Sequence, residues 1–195
     1  MAKKRAQPEG PPALAVIEVG SIARGLTTVD ALVKRAEVRL LAADPVTPGK
    51  YIIVFGGPEE EVRESLDAAL EGAGPDVVDS LYLPFVHREL LSALDGLEPP
   101  PVRGSLGTLE YRSVAATVLG ADAALKAAAV SLVAIHLARG IGGRGYVVFT
   151  GSQDSVEAAL EAGEGAVELE QRFARELIAR PHPDMDWALG RLTRR

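Results

Sequence analysis

Residues 14–46, LAVIEVGSIARGLTTVDALVKRAEVRLLAADPV, return 92 positions later as LGTLEYRSVAATVLGADAALKAAAVSLVAIHLA at 106–138. The segments align without a gap and match at 11 of 33 positions: Leu14/Leu106, Glu18/Glu110, Ser21/Ser113, Ala23/Ala115, Asp30/Asp122, Ala31/Ala123, Lys34/Lys126, Ala36/Ala128, Val38/Val130, Leu40/Leu132 and Ala42/Ala134. Chance would give about two or three, so the chain is read as a tandem duplication. An insertion of three residues in the second copy then places Tyr51-Ile52-Ile53-Val54-Phe55 on Tyr146-Val147-Val148-Phe149-Thr150, and Val62 and Leu66 later fall on Val156 and Leu160.

Each copy reads alike. An apolar run (Leu14 to Val19; Leu106 to Tyr111) predicts a strand, and Ser21 or Ser113 can cap the helix that follows. Ile22, Leu26, Val29 and Val33 share one helical face, as do Val114, Val118, Ala121 and Leu125. Val38 to Ala43 and Tyr51 to Phe55 read as a hairpin. A second helix opens at Pro58, with Glu59, Glu60 and Glu61 placed well against its dipole. A last strand (Val77 to Leu83; Glu176 to Ala179) and a short helix (His87 to Leu94; Met185 to Leu189) complete the unit. The order β-α-β-β-α-β-α predicts a split βαβ, an α+β ferredoxin-like domain used twice, each a four-stranded antiparallel sheet with helices on one face. The sheet's other face must be covered or polar.

Between the copies, residues 95–104 include Pro99, Pro100 and Pro101, which block helix and central strand and favour an extended spacer. The expected organisation is a tail at 1–12, a first domain at 13–94, this linker, a second domain at 105–190 and a basic tail at 191–195. The 195 residues include no cysteine, which excludes disulfides, cysteine-ligated zinc and iron–sulfur clusters and is in keeping with a reducing cytoplasm. His87, His136 and His182 lack metal-ligand spacing, so neither metal nor cofactor is expected. With 21 basic against 27 acidic residues, nucleic acid is not the expected partner. No apolar stretch approaches the length of a membrane span. An apolar content of 47% is high for two small domains and points to surface buried between subunits.

Asp30-Ala31-Leu32-Val33-Lys34-Arg35-Ala36 and Asp122-Ala123-Ala124-Leu125-Lys126-Ala127-Ala128, the turns Val46-Thr47-Pro48-Gly49-Lys50 and Gly140-Ile141-Gly142-Gly143-Arg144-Gly145, and Ile178-Ala179-Arg180-Pro181-His182 together resemble the shell proteins of bacterial microcompartments. Within that family the likeness, over residues 13 to 190, is to the tandem-domain class that forms trimers. It implies a homotrimer whose six domains make a pseudohexameric disc that tiles edge to edge with other shell proteins, single-domain hexamers and pentamers, in the bacterial cytoplasm. It implies a central pore for small molecules lined by the two turns: Thr47, Pro48, Gly49 and Lys50 from one, Gly142, Gly143, Arg144 and Gly145 from the other. It also implies that Lys34, Lys126, Arg180 and His182 lie at the tile edge. The first copy departs from this pattern, with Phe85 where the second has Arg180, so alternate edges differ.

Gly140 to Gly145 satisfies G-x-G-x-x-G, but a strand follows it, and the dinucleotide mechanism needs a helix N-terminus there. Glycines in that turn instead suit tight bending or close approach at a symmetry axis. Lys50 and Arg144, repeated by a threefold axis, would form rings of positive charge that favour anions; alternatively they are solvated turn residues. Glu18 and Glu110 are expected to bond nearby backbone or a lysine, and His87 and His182 to cap helices. Nothing supplies a nucleophile with its base, so an enzyme is not expected. A reading of another class is a trimeric cytoplasmic ferredoxin-like regulatory module that binds a small anionic effector between subunits.

Overall fold

The computed structural model describes residues 12–98, 100–185, 189 and 192. The first copy runs β1 (Ala13–Val19), α1 (Ile22–Arg35), β2 (Arg39–Val46), β3 (Lys50–Gly57), α2 (Glu59–Ala73), β4 (Val77–Leu83) and α3 (Arg88–Leu94). The second runs β5 (Ser105–Tyr111), α4 (Val114–Ala127), β6 (Ser131–Leu137), β7 (Gly145–Gly151), α5 (Gln153–Gly165) and β8 (Arg172–Ile178). The sheets are antiparallel, ordered β2-β3-β1-β4 and β6-β7-β5-β8, so β3 or β7 splits each βαβ unit as expected. The expected terminal helix Met185 to Leu189, with Trp187, falls mostly outside the described residues, as do most of both tails.

Backbone pairing corrects the repeat register. Glu18 faces Ile52 across the β1/β3 ladder and Glu110 faces Tyr146 across β5/β7. Ile52 therefore corresponds to Tyr146, Phe55 to Phe149 and Lys50 to Arg144, and the turn insertion is two residues rather than three. Matching the two tyrosines follows ring identity, whereas the ladder counts hydrogen-bonded positions and cannot slip by one without turning every side chain to the opposite face.

Two strands also differ from expectation in extent. β2 continues through Asp44 and Pro45 because it is an edge strand, where a missing N–H is tolerated. β8 occupies Arg172–Ile178 instead of Glu176 to Ala179. It is an edge strand exposed along most of its length, so it lacks the apolar alternation by which a half-buried strand is recognised.

In the first copy Ala15, Ile17, Val19, Tyr51, Ile53 and Phe55 pack against Leu32 of α1 and Val62, Leu66 and Ala69 of α2. The opposite face, Leu14, Val16, Ile52 and Val54, shares one core with Val86, Leu90 and Leu94 and with the second copy, through α4. The two copies are thus joined by a continuous apolar junction. Burying each Val or Leu there contributes about 1.5–3 kcal/mol.

That junction changes the meaning of the apolar stripe on the first helix. In α4, Val114, Val118, Ala121 and Leu125 are buried at it. In α1 the counterparts Ile22, Leu26 and Val33 are exposed, and the residues facing the sheet are Gly25, Thr28 and Leu32. Apart from Val29, which is half-buried against the domain's own core, the stripe is therefore not that domain's core face.

Within the domains the copies exchange bulk between facing positions. A methyl at Gly25 would lie 2.4 Å from the Tyr51 ring, so α1 can cross β3 there only without a side chain. At the corresponding place in the second copy, Thr117 overlies Gly145, where a methyl would lie 2.2 Å from the threonine hydroxyl. The volume has moved from strand to helix.

Candidate functional site

The residues of interest gather at two places, the hairpin turns and the junction between domains. The β2–β3 turn, with a cis Thr47–Pro48 bond and Gly49 at φ 121°, stands beside the β6–β7 turn. A methyl on Gly143 would come within 3.3 Å of the Thr47 carbonyl oxygen and 3.2 Å of Lys50 Cε, so the two turns touch. Positive φ at Gly140, Gly142 and Gly143 makes this compact loop possible and admits few other residues. Strand β7 follows it directly, which leaves no helix N-terminus for a pyrophosphate.

Every cation of the turns has an acidic partner. Lys50 Nζ lies 2.5 Å from Glu18 Oε2. Arg144, its counterpart, lies 3.6 Å from Glu110 Oε2 and stacks over the Phe173 ring of β8 at 4.2 Å. Arg139 crosses the junction to pair with Asp44 of β2. Thr47, Pro48, Gly49 and Gly142 are exposed, and Gly143 is covered by the facing turn. Gly145, expected among the pore-lining residues, is buried under Thr117 at the start of β7 in the single chain.

Glu18 is fully buried, and its Oε1 accepts from the backbone N–H groups of Val114 (2.6 Å) and Ala115 (3.1 Å), the first turn of α4. Ser113 accepts from Ala116 in the same turn, as Ser21 accepts from Arg24 in α1. A carboxylate there satisfies orphan donors and complements the helix dipole. Glu18 therefore bonds a lysine and backbone, the backbone being that of the other domain.

Lys34 forms an exposed pair with Asp30 at 2.6 Å; Lys126 pairs with Asp122 at 2.5 Å. Asp122 is buried, and its other oxygen accepts from the His87 backbone N–H at 2.7 Å, a second hydrogen bond between the domains. His87 caps α3 by accepting from Glu89, and His182 Nδ1 accepts from Asp184 in the same geometry, 3.3 Å in both cases. Arg180 and His182 are exposed, away from both turns in the sequence and beyond the end of β8. Sequence reasoning missed Asp122, Asp44 and Phe173. Asp122 was visible as a repeated match, but nothing local marked its partner 35 residues away.

Among the described residues no cluster of three His, Asp or Glu side chains could hold a metal ion, and no helix is long and apolar enough to cross a membrane. Two split-βαβ domains fused through an apolar junction, with their hairpins side by side, define a tandem-domain scaffold whose polar machinery serves contacts between domains. The BMC domain family matches residues 13–86 and again 105–181. The chain is 39% identical over 174 residues to the bacterial microcompartment shell protein PduT of Citrobacter freundii, covering 89% of this chain and 95% of that protein. A crystal structure of a microcompartment protein from Desulfitobacterium hafniense DCB superposes with TM-score 0.86 at 37% identity, covering 91% of this chain and 99% of that one. The fused permuted hexameric shell protein of the RMM microcompartment gives TM-score 0.61 at 25% identity, covering 80% and 83%. The chain belongs to the bacterial microcompartment shell protein family.

Proposed function

We propose that this protein is a shell tile in which three copies close head to tail into a pseudohexameric disc with a central opening. The observation that carries the reading is the apolar junction inside the chain. It is heterologous, joining a helix face of one domain to the open sheet face of the other, and each half has an unoccupied twin. The α1 face is the twin of α4. Ile178 on β8 is the twin of Leu83 on β4, since the two pair with Leu106 and Leu14 respectively, and it is 41% exposed where Leu83 is 8%. Repeating a heterologous contact gives a ring or a filament. A six-domain ring takes three chains, and the likeness to a hexameric shell protein supports that closure.

In such a ring the touching turns surround one axis, and small polar metabolites would pass between them. Because Lys50, Arg144 and Arg139 are each offset by a carboxylate, any preference for anions comes from donor groups at short range rather than from net charge. Lys34, Lys126, Arg180 and His182 are proposed to meet neighbouring tiles.

Light scattering on the purified chain tests closure, and electron microscopy tests tiling. The expected results are the mass of three chains and flat sheets, with a Lys34→Ala/Lys126→Ala double variant keeping the trimer and losing the sheets. A monomeric chain overturns the reading; sheets unaffected by the double variant remove the two lysines from the edge.

A further inference from the structure

We infer that Glu110 does between chains what Glu18 does within one: its carboxylate caps the first turn of the partner's α1 while holding Arg144 at the hairpin. The inference rests on the trimeric reading above and names the contact that closes it.

Glu18 and Glu110 stand at the same place, one residue before the end of β1 and β5, facing Ile52 and Tyr146. Glu18 divides its two oxygens between Lys50 and the N–H groups of Val114 and Ala115. Glu110 shows half of this arrangement. One oxygen lies 3.6 Å from Arg144, the counterpart of Lys50, and the side chain is 35% exposed where that of Glu18 is 0%. Helix α1 shows the complementary half. Ser21 accepts from Arg24 at 3.2 Å as Ser113 accepts from Ala116 at 3.1 Å, and the N–H groups of Ile22 and Ala23 occupy the positions that Glu18 serves in α4.

The surroundings agree. Ile22, Leu26 and Val33 are exposed where Val114, Val118 and Leu125 are buried, so docking α1 on β8 of a second copy buries an apolar face around the carboxylate. The same operation turns the Asp122 to His87 hydrogen bond into one between Asp30 and the backbone N–H of the partner's His182. His182 is prepared for it, having the same local capping geometry as His87. Each hairpin cation is then held by a carboxylate that a neighbouring domain fixes in turn, which couples the lining of the opening to closure of the ring. Hydrogen bonds from backbone donors to an ionised carboxylate are among the stronger ones, and removing water from around them strengthens them further.

The test compares the wild type with Glu110→Ala by hydrogen exchange mass spectrometry, reading peptides over 20–25 and 112–117, together with light scattering over a dilution series. In the wild type the first turn of α1 is expected to exchange as slowly as that of α4. Glu110→Ala is expected to speed exchange at 20–25 at least about tenfold and to raise the concentration at which trimers dissociate at least about tenfold. Slow exchange at 112–117 in both proteins reports an intact fold, and Glu110→Gln, which keeps a weaker acceptor, should fall between them. A wild-type trimer whose 20–25 peptide exchanges freely, or a Glu110→Ala trimer as protected there as the wild type, overturns the inference and leaves the trimer standing. A wild-type chain that stays monomeric overturns the trimer and this inference with it.

Discussion

Tyr111 occupies the position of Val19, and the extra volume is accommodated by Gly120 and Gly163 where the first copy has Thr28 and Ala69. A methyl on Gly120 would lie 2.1 Å from the Tyr111 hydroxyl. That hydroxyl is buried with no hydrogen-bond partner among the described residues. Burial, with Glu164 adding to it and Arg172 opposing, pushes its pKa above the ordinary tyrosine value of 10.0. The unfolded chain would titrate near 10.0, so the folded state binds the proton more tightly. Stability from this site is fully present below that pH and is lost as the pH rises past it. Tyr111→Phe should leave stability at neutral pH unchanged or raise it by about 1 kcal/mol, and should flatten the alkaline loss. Urea denaturation at pH 7 and above pH 10 checks both, and a phenylalanine variant less stable at pH 7 would show that the hydroxyl has a partner. None of this was legible from the aligned repeat, where Tyr111 and Val19 are merely a mismatch. Exchanging bulk between facing residues leaves no local signature, because only total volume is constrained.

At the scale of elements, α1 and α4 show what periodicity can report. The apolar stripe was read correctly as a stripe, and so were the capping serines, since both follow from local backbone geometry. Its destination was not. Leu26 is 57% exposed and Val118 is 0%, although they are the same position of the repeat. Leu26→Glu is therefore expected to give a folded monomer in place of the proposed trimer. Val118→Glu puts an unpaired charge into the junction and should destabilise the chain by more than about 3 kcal/mol. Circular dichroism and light scattering separate the outcomes; a Leu26→Glu protein that remains trimeric would remove α1 from the interface. The two edge strands, β2 and β8, were misjudged in extent for a common reason: exposure on an edge relaxes the alternation and the ban on proline that mark inner strands.

For the whole molecule, pairing of the cations decides how the proposed opening should behave. Arg144 faces Glu110 at 3.6 Å and Phe173 at 4.2 Å, so the ion pair as a whole carries no net charge, and removing both partners leaves the net charge of the turn unchanged. An Arg144→Gln/Glu110→Gln double variant, which removes both charges of the pair, is expected to change the ratio of anion to neutral-solute passage through assembled shells by no more than about threefold. A fall of tenfold or more would restore the ring of open positive charge that the sequence suggested. The sequence by itself determined the duplication, the element order, the ferredoxin-like domain and the resemblance to shell proteins, because each is written in spacings of a few residues or in one long repeat. Only the tertiary structure decided which stripe is core and which is surface, how the turns register, and which charges are already paired. Those depend on contacts such as Glu18 to Val114, 96 residues apart, where the second domain supplies the partner that no local pattern names.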